Sequence, residues 1–211
     1  MKFAHLRQDY QKHQLLESDL TESPFDFFHA WFDEAHKSNE AEANAMVLST
    51  IGIDGLPNGR VVLLKELDHG FVWFTNYASE KGKELANEPK AALTFFWPWL
   101  ERQVRVRGIV EKISVQESEA YFHQRPFPSQ AGAIASYQSE ILTDREALDK
   151  RFEELMQKEN LQSLQKPENW GGYRLIPHWF EFWQGRSSRL HDRLFYTLNE
   201  SGKWNTGRLS P

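Results

Sequence analysis

The chain has 211 residues and contains no cysteine. This absence excludes disulfide bonds, thiol nucleophiles and thiolate metal sites, and it suits a reducing compartment. No apolar run approaches the about 20 residues that span a bilayer, and the first ten residues lack the apolar core of a signal peptide. We therefore expect a cytoplasmic protein without a membrane partner.

Several familiar catalytic motifs are also missing from the sequence. It has no glycine-rich phosphate loop of the Walker or dinucleotide type and no Gly-x-Ser-x-Gly elbow. The eight histidines form no His-x-His or His-x-x-x-His pair, so no metal site is predicted. The net charge of −5 argues against nucleic-acid binding. A bound organic cofactor is therefore a better hypothesis than a metal or a protein nucleophile.

Aromatic residues are abundant, with 15 Phe, 8 Trp and 6 Tyr. Many short strands with few helices between them predict an α+β domain, in which helices pack on a mainly antiparallel β-barrel or sandwich. The predicted helices cover 24–38, 79–86, 114–123, 129–136 and 143–158. The predicted strands cover 45–51, 59–65, 71–75, 91–97, 102–113, 171–175, 178–184 and 189–198, with a short last strand after a hairpin at 199–202.

The chain length suits one domain, with two as an outside alternative. Residues 1–22 are polar and are predicted to be a separate N-terminal segment that folds over a site or remains a frayed tail. Residues 23–211 are predicted to form the single domain. Residues 159–169 are predicted to be a polar linker within it.

The stretch 181–193 joins an aromatic strand to a turn and then to alternating charges. If residues 189–198 form a strand, Arg189, His191 and Arg193 share one face. Such a row of cations is either a solvated edge strand or part of a polar ligand pocket framed by aromatic residues.

Further cations and hydroxyl groups are embedded in apolar sequence. Clusters of this kind in an acidic protein predict phosphate recognition by charge-assisted hydrogen bonds. Strict alternation along the strand 59–65 would place its two cations on opposite faces. The candidates are Arg60, Lys65, Lys81, Tyr121, Arg125 and Ser129.

A family resemblance extends nearly from end to end. The chain resembles the pyridoxamine 5′-phosphate oxidase family, flavin enzymes with an FMN-binding split β-barrel and a homodimer that holds FMN at the subunit interface. The implied C-terminal dimerisation region is part of the single domain. The motifs that carry the resemblance are Arg60-Val-Val-Leu-Leu-Lys65, Phe74-Thr-Asn76, Leu100-Glu-Arg-Gln-Val104, Tyr121-Phe-His-Gln-Arg-Pro126, Ser129-Gln130, Gln138-Ser139, Trp170-Gly-Gly172, Glu181-Phe-Trp-Gln-Gly185, Arg189-Leu-His-Asp-Arg193 and Arg208-Leu-Ser-Pro211.

The resemblance implies a set of site residues. Arg189 and His191 would be catalytic and lie against the substrate ring, and Arg7 with Tyr10 would form a lid. The substrate phosphate would contact Lys65, Tyr121, Arg125 and Ser129. FMN would contact Arg60, Val61, Val62, Leu63, Leu64, Lys65, Phe74, Thr75, Lys81, Gln103, Gln138, Ser139, Trp183 and Arg193.

The implied reaction is oxidation of pyridoxine 5′-phosphate and pyridoxamine 5′-phosphate by O₂ to pyridoxal 5′-phosphate. Hydrogen peroxide is released, with ammonia from the amine, and hydride passes from substrate C4′ to flavin N5. The alternatives are a flavoprotein of this fold with another substrate and a non-enzymatic vitamin B6 phosphate or flavin-binding protein.

Two positions depart from the family pattern. Glu80 stands where some relatives carry a second basic residue, so Lys81 is expected to act there with Arg60. Phe74 stands where some relatives carry Tyr, and only a backbone contact would survive that change.

Overall fold

The computed structural model describes residues 1, 3, 5–6, 8–158 and 164–211. The predicted α+β class is confirmed. The helices are α1 Pro24–Lys37, α2 Glu80–Asn87, α3 Val115–Gln124, α4 Phe127–Ala135 and α5 Arg145–Met156. The strands are β1 Ala45–Ile51, β2 Pro57–Leu63, β3 Glu66–Leu67, β4 Phe71–Asn76, β5 Lys90–Trp97, β6 Arg102–Lys112, β7 Trp170–Gln184, β8 Asp192–Leu198 and β9 Trp204–Arg208.

In the part of the chain that is described, the strands form one antiparallel sheet in the order β2-β1-β5-β6-β7-β4-β3. The long strand β7 branches the sheet, because its first half pairs with β4 and its second half pairs with β8. Strand β9 extends the second branch by pairing with β8. β7 thus links two regions of the fold that carry different functional side chains.

The prediction of two separate strands at 171–175 and 178–184 is wrong. β7 is one 15-residue strand that continues through Pro177. Proline cannot donate a ladder hydrogen bond, and the pairing with β6 shifts register between Arg107 and Gly108 at this point. A Cβ atom on Gly108 would lie 2.1 Å from the Ile176 carbonyl oxygen, so only glycine fits this bulge.

Helix α1 covers the main aromatic core. Ser23 caps the helix by accepting a hydrogen bond from the Phe25 amide, and Pro24 occupies the first turn. Phe28 and Trp31 are buried against strand residues such as Phe182. Burial of each such aromatic side chain contributes about 1.5–3 kcal/mol to stability.

Helices α3, α4 and α5 contribute to a second, smaller apolar cluster around Phe122 and Trp170. Two predicted helix starts are wrong. Helix α4 begins at Phe127, two residues before the predicted start at residue 129. The N-cap of α5 is Asp144 rather than Thr143, because the Asp144 carboxylate accepts a hydrogen bond from the Ala147 amide. Among the described residues, no helix is both long and apolar enough to cross a membrane.

The predicted strand at 189–198 begins only at Asp192. Residues Ser187–Arg189 form a short 3-10 turn, in which Ser188 and Arg189 have φ angles of 57° and 63°. These left-handed conformations interrupt the alternation of a strand. The prediction that Arg189, His191 and Arg193 share one strand face is therefore wrong, since only Arg193 lies on the strand.

Candidate active site

An open cavity of about 860 Å³ lies beside strands β2 and β4 and helices α2, α3 and α4. Its volume is in the usual range for a small-molecule site. It brings together most of the residues that the resemblance implies for phosphate and flavin binding. These are Arg60, Val61, Val62, Leu63, Lys65, Phe74, Thr75, Lys81, Tyr121, Arg125, Ser129 and Gln138.

Arg60 and Lys65 both line this cavity, contrary to strict alternation. Strand β2 ends at Leu63, so the alternation stops before Lys65, whose amide donates to the Val72 carbonyl oxygen of β4. Leu64 between them is buried in the apolar core instead. Two cations from one short segment can therefore serve one cavity.

Lys81 is a buried cation in the first turn of α2. Its ammonium nitrogen lies 3.3 Å from Thr75 Oγ1 and 3.4 Å from Ser79 Oγ. Within the described ranges no carboxylate comes within 4.0 Å of it. Burial lowers the pKa of Lys81 and the charge of Arg60 lowers it further, while nearby carboxylates raise it. An anion in the cavity would relieve this desolvation.

Arg125 is a second cation without a carboxylate partner in the described part of the chain. Its Nη1 atom is buried and has no hydrogen-bond partner there. The guanidinium lies over the ring of Trp170, 5.0 Å from the centroid, and burial lowers the pKa of Arg125. A buried donor that lacks a partner is costly, so this atom is suited to bind an anionic group in the cavity.

Three nearly parallel rings form one wall of the cavity. The rings of Phe74 and Tyr121 stack with centroids 3.8 Å apart, and the Trp170 ring is 5.5 Å from Phe74. Burial raises the pKa of Tyr121, so its phenol stays protonated and can donate a hydrogen bond. Ser129 lies nearby in the first turn of α4.

Gln138 connects the loop after α4 to strand β4. Its Oε1 atom accepts hydrogen bonds from Thr75 Oγ1 at 3.0 Å and from the Asn76 amide at 3.2 Å. The next residue, Ser139, has a φ angle of 71° and does not line the cavity. The loop is therefore anchored to the cavity through one amide side chain.

The other predicted site residues form a second group at the far end of β7. Gln103 pairs with Trp183 across β6 and β7, and Trp183 pairs with Arg193 of β8. The Trp183 ring is 4.6 Å from the His191 ring and 5.7 Å from the Tyr10 ring. Arg7 lies outside the described residues.

His191 has a defined hydrogen-bonding state. Its Nδ1 atom accepts a hydrogen bond of 3.0 Å from the Arg186 amide. Burial lowers the pKa of His191 and the charge of Arg189 lowers it further, while Asp192 raises it. The imidazole is therefore neutral near pH 7 and carries its proton on Nε2, which can donate to a ligand.

The two arginines of this group differ in charge compensation. Arg193 donates to both carboxylate oxygens of Glu181, at 2.8 and 3.1 Å. Arg189 is exposed in its turn, with no carboxylate within 4.0 Å in the described ranges. Arg189 is thus the freer cation of the pair.

The two groups do not meet within one chain. Phe74 pairs with Gly172 at one end of β7, whereas Trp183 lies eleven residues further along the strand. At about 3.3 Å per residue, this separation is roughly 35 Å along the strand. A single site that contains both groups would need two chains.

Sequence reasoning did not assign a role to several cavity residues. Trp170, Asn76 and Pro126 stand within the family motifs, so the signal was present. Gly132, Ala133 and Ser136 are small residues of α4 and the residue that follows it, and nothing in their spacing distinguishes them from ordinary helix packing.

Comparison with known proteins identifies the family. The model described as pyridoxamine 5′-phosphate oxidase matches residues 32–159. A relative from Trichormus variabilis, named pyridoxine/pyridoxamine 5′-phosphate oxidase, is 51% identical over 99% of this chain and 98% of its own. One of the same name from Ralstonia pickettii is 53% identical over the same shares. The chain belongs to the pyridoxamine 5′-phosphate oxidase family. The predicted family and its oxidoreductase class are confirmed.

Solved structures agree with the fold. PhzG from Burkholderia lata 383, in complex with tetrahydrophenazine-1-carboxylic acid, has a TM-score of 0.87 and 32% identity, covering 93% of this chain and 98% of its own. A pyridoxamine 5′-phosphate oxidase-related, FMN binding protein from Nostoc punctiforme has a TM-score of 0.72 at 16% identity, covering 91% and 100%. The predicted split-barrel fold is confirmed.

A second family model bears on the group around Trp183. The model described as the pyridoxine 5′-phosphate oxidase C-terminal dimerisation region matches residues 170–211. Trp183, Arg189, His191 and Arg193 all lie in this dimerisation region, which runs from β7 to the C-terminus.

Proposed function

We propose that this protein uses FMN and O₂ to oxidise pyridoxine 5′-phosphate and pyridoxamine 5′-phosphate to pyridoxal 5′-phosphate, with release of hydrogen peroxide. The observation that carries the proposal is the buried Nη1 of Arg125, which has no hydrogen-bond partner among the described residues, in a cavity that also holds the buried Lys81. Two such cations suit two phosphate groups, one from the cofactor and one from the substrate. The names of the full-length relatives support the same substrates.

The charged and hydrogen-bonding groups that line the cavity suit FMN. Arg60 and Lys81 would hold the cofactor phosphate. Strand β2 is an edge of the sheet, so the outer backbone groups of residues 61–63 are free to bind the polar edge of a flat ring. Held by these residues, FMN would supply the two-electron acceptor for oxidation at substrate C4′, with O₂ as the final acceptor.

Lys65, Tyr121, Arg125 and Ser129 would bind the substrate phosphate. Arg125 supplies a guanidinium whose charge no protein carboxylate neutralises in the described ranges, and Lys65 is an exposed ammonium at the cavity rim. Tyr121 and Ser129 supply neutral donors. Without a phosphate the substrate would leave the buried donor of Arg125 unsatisfied, so the unphosphorylated vitamin should bind poorly.

The second group would complete the site from the other subunit of a homodimer. Val47, Val61 and Phe96 are exposed apolar residues on one sheet face that continues to Gln103 and its neighbour Trp183. A two-fold interface on this face would bring the dimerisation region of one subunit to the cavity of the other.

His191 and Arg189 would position the substrate in this assembled site. Because the neutral His191 carries its proton on Nε2, that nitrogen donates a hydrogen bond and has no lone pair to accept a proton. This favours an orienting role over that of a general base. Arg189, the freer cation, would stabilise negative charge on the substrate ring.

A direct test is to purify the protein, record its absorption spectrum and measure hydrogen peroxide with the two phosphorylated substrates. We expect a flavin spectrum, peroxide formation with both substrates, and far slower turnover of unphosphorylated pyridoxine. A protein that binds flavin and substrate but releases no peroxide would be a carrier instead. A protein that cannot be reconstituted with FMN would contradict the proposal.

A further inference from the structure

Glu84 is a buried carboxylate on α2 beside the proposed cofactor phosphate site. It is only 2% exposed, and its Oε2 atom accepts a hydrogen bond of 2.9 Å from Arg60 Nη2. Oε2 also accepts from Thr50 Oγ1 at 2.5 Å, and Oε1 accepts from Asn58 Nδ2 at 2.7 Å. Each carboxylate oxygen therefore has a fixed partner.

The contacts form a closed network around the guanidinium of Arg60. Thr50 Oγ1 accepts from Arg60 Nη1 and donates to Glu84, so it bridges the two charged groups. Burial raises the pKa of Glu84, but the hydrogen bonds from Thr50 and Asn58 and the charge of Arg60 outweigh it and lower the pKa. Glu84 is therefore ionised near pH 7.

An ionised carboxylate near a phosphate site is electrostatically unfavourable. Glu80, which is exposed, adds a second carboxylate 4.0 Å from Arg60. With Lys81, this end of the cavity carries two cations and two carboxylates, a formal sum of zero. Glu84 would repel a phosphate, so we expect it to have a favourable effect that offsets this repulsion. The hydrogen bonds from Thr50 and Arg60 indicate that this effect is on the position of Arg60.

We propose that Glu84 is a positioning residue, which acts through Arg60 to hold its guanidinium in place for the cofactor phosphate. The inference rests on the proposed binding of FMN at Arg60 and Lys81. A free arginine loses much rotamer freedom when it binds a ligand. Glu84 and Thr50 restrict Arg60 in advance, so less freedom is lost when the phosphate arrives.

The test compares dissociation constants of FMN and riboflavin, measured by flavin fluorescence on the full-length protein freed of cofactor. The two flavins differ only in the phosphate, so the ratio of their constants isolates its contribution. Glu84→Gln and Glu84→Ala remove the same charge, but only Gln retains hydrogen-bonding groups for Thr50 and Arg60. Thr50→Val removes the bridging hydroxyl and preserves the shape of the side chain.

Glu84→Ala should weaken FMN binding by about 2- to 12-fold, the effect of having to immobilise one arginine side chain on binding. Its riboflavin binding should be unchanged. Glu84→Gln should bind FMN as tightly as the wild type or more tightly. Thr50→Val should weaken FMN binding, as Glu84→Ala does. Glu80→Gln, the matched charge control, should not weaken FMN binding, because in the described part of the chain the Glu80 carboxylate lies 4.0 Å from Arg60 and makes no hydrogen bond to Arg60 or Thr50.

Other outcomes would overturn the inference. If Gln and Ala both tighten FMN binding equally, Glu84 acts only through its charge. If Glu84→Ala weakens the binding of FMN and of riboflavin equally, the role of Glu84 is structural. If Glu84→Gln binds FMN as weakly as Glu84→Ala does, Glu84 does not position Arg60 through hydrogen bonds. A wild-type protein that fails to prefer FMN over riboflavin would refute the proposed cofactor site itself, and the inference with it.

Discussion

The guanidinium of Arg125 lies over the indole of Trp170, 5.0 Å from the ring centroid, and no carboxylate of the described residues pairs with it. Arg60 in the same cavity is held by the carboxylate of Glu84 at 2.9 Å. An aromatic face orients a guanidinium without neutralising it, whereas a carboxylate does both. The full charge of Arg125 therefore remains available to a ligand.

The first prediction concerns Trp170→Leu. A cation–π contact contributes about 0.5–2 kcal/mol, so its loss should raise KM for the phosphorylated substrate by about 2- to 30-fold, with little change in kcat. Inhibition by inorganic phosphate should weaken by a similar factor. Trp170→Phe should have a smaller effect, because it keeps an aromatic face. Steady-state kinetics check this.

The control for Trp170 is Phe152→Leu, which alters the same small apolar cluster away from the cavity. If Phe152→Leu raises KM as much as Trp170→Leu, the effect arises from general loosening of the helices. A fall in kcat with unchanged KM would also contradict the positioning of Arg125 by Trp170.

The second prediction tests whether one site needs two chains. Arg125→Ala removes a residue of the cavity, and His191→Ala removes a residue of the second group. Each homodimer should be nearly inactive. If the sites lie across a two-fold interface, a mixed dimer has one intact site and one that lacks both residues. Random mixing should then restore about a quarter of wild-type activity, whereas a site within one chain would restore none.

The third prediction concerns the pH dependence of stability. The pKa of His191 is lowered from its usual value of about 6.5, so the unfolded chain binds this proton more readily than the folded one. The stability contributed by neutral His191 is present above about pH 6.5 and is lost as pH falls through the lowered folded pKa. Protonation of Nδ1 would also break the hydrogen bond from the Arg186 amide.

His191→Asn can retain an acceptor for the Arg186 amide but cannot take up a proton in this range. The melting temperature of the wild type should therefore fall more than that of His191→Asn between about pH 7 and pH 5. NMR titration should give His191 a pKa below its usual value. Parallel melting curves, or a raised pKa, would contradict this account.

Sequence reasoning worked best where the signal was local. Ser23 with Pro24 marked the start of α1, and the capping box at Ser114 and Glu117 marked the start of α3. It failed at Ser188 and Arg189, because residues other than glycine take left-handed conformations mainly when tertiary contacts impose them.

The composition of the candidate site was more predictable than its arrangement. The motifs supplied residues such as Phe74 and Trp183, but not their placement beside opposite ends of β7, which depends on pairing between strands distant in sequence. Glu84 gave no signal at all, since an acidic residue on a short polar helix is usually solvated. Its burial follows from contacts with β1 and β2 that only the fold creates.

The last prediction concerns Gly185, which allows Tyr10 to pack against the second group. A Cβ atom at position 185 would lie 2.7–2.9 Å from Cγ, Cβ and Cδ2 of Tyr10. These atoms form the base of the side chain, so a rotation of the ring cannot avoid the clash. Gly185→Ala should therefore displace Tyr10 from Trp183 and His191, expose residues 8–13 to proteases, and raise KM by several-fold if Tyr10 covers the substrate.

A double-mutant cycle separates this effect from a general disturbance of β7. In a Tyr10→Ala background the clash is gone, so Gly185→Ala should have almost no further effect on KM or on proteolysis. Additive effects of the two substitutions would mean that Gly185 matters for another reason, such as the hydrogen bond from its amide to the Glu101 carbonyl oxygen at 2.8 Å. Non-additivity would instead show that Gly185 matters because it lets Tyr10 pack against it. Once Tyr10 has been replaced, that contact no longer exists, and adding a side chain at position 185 cannot disrupt it again.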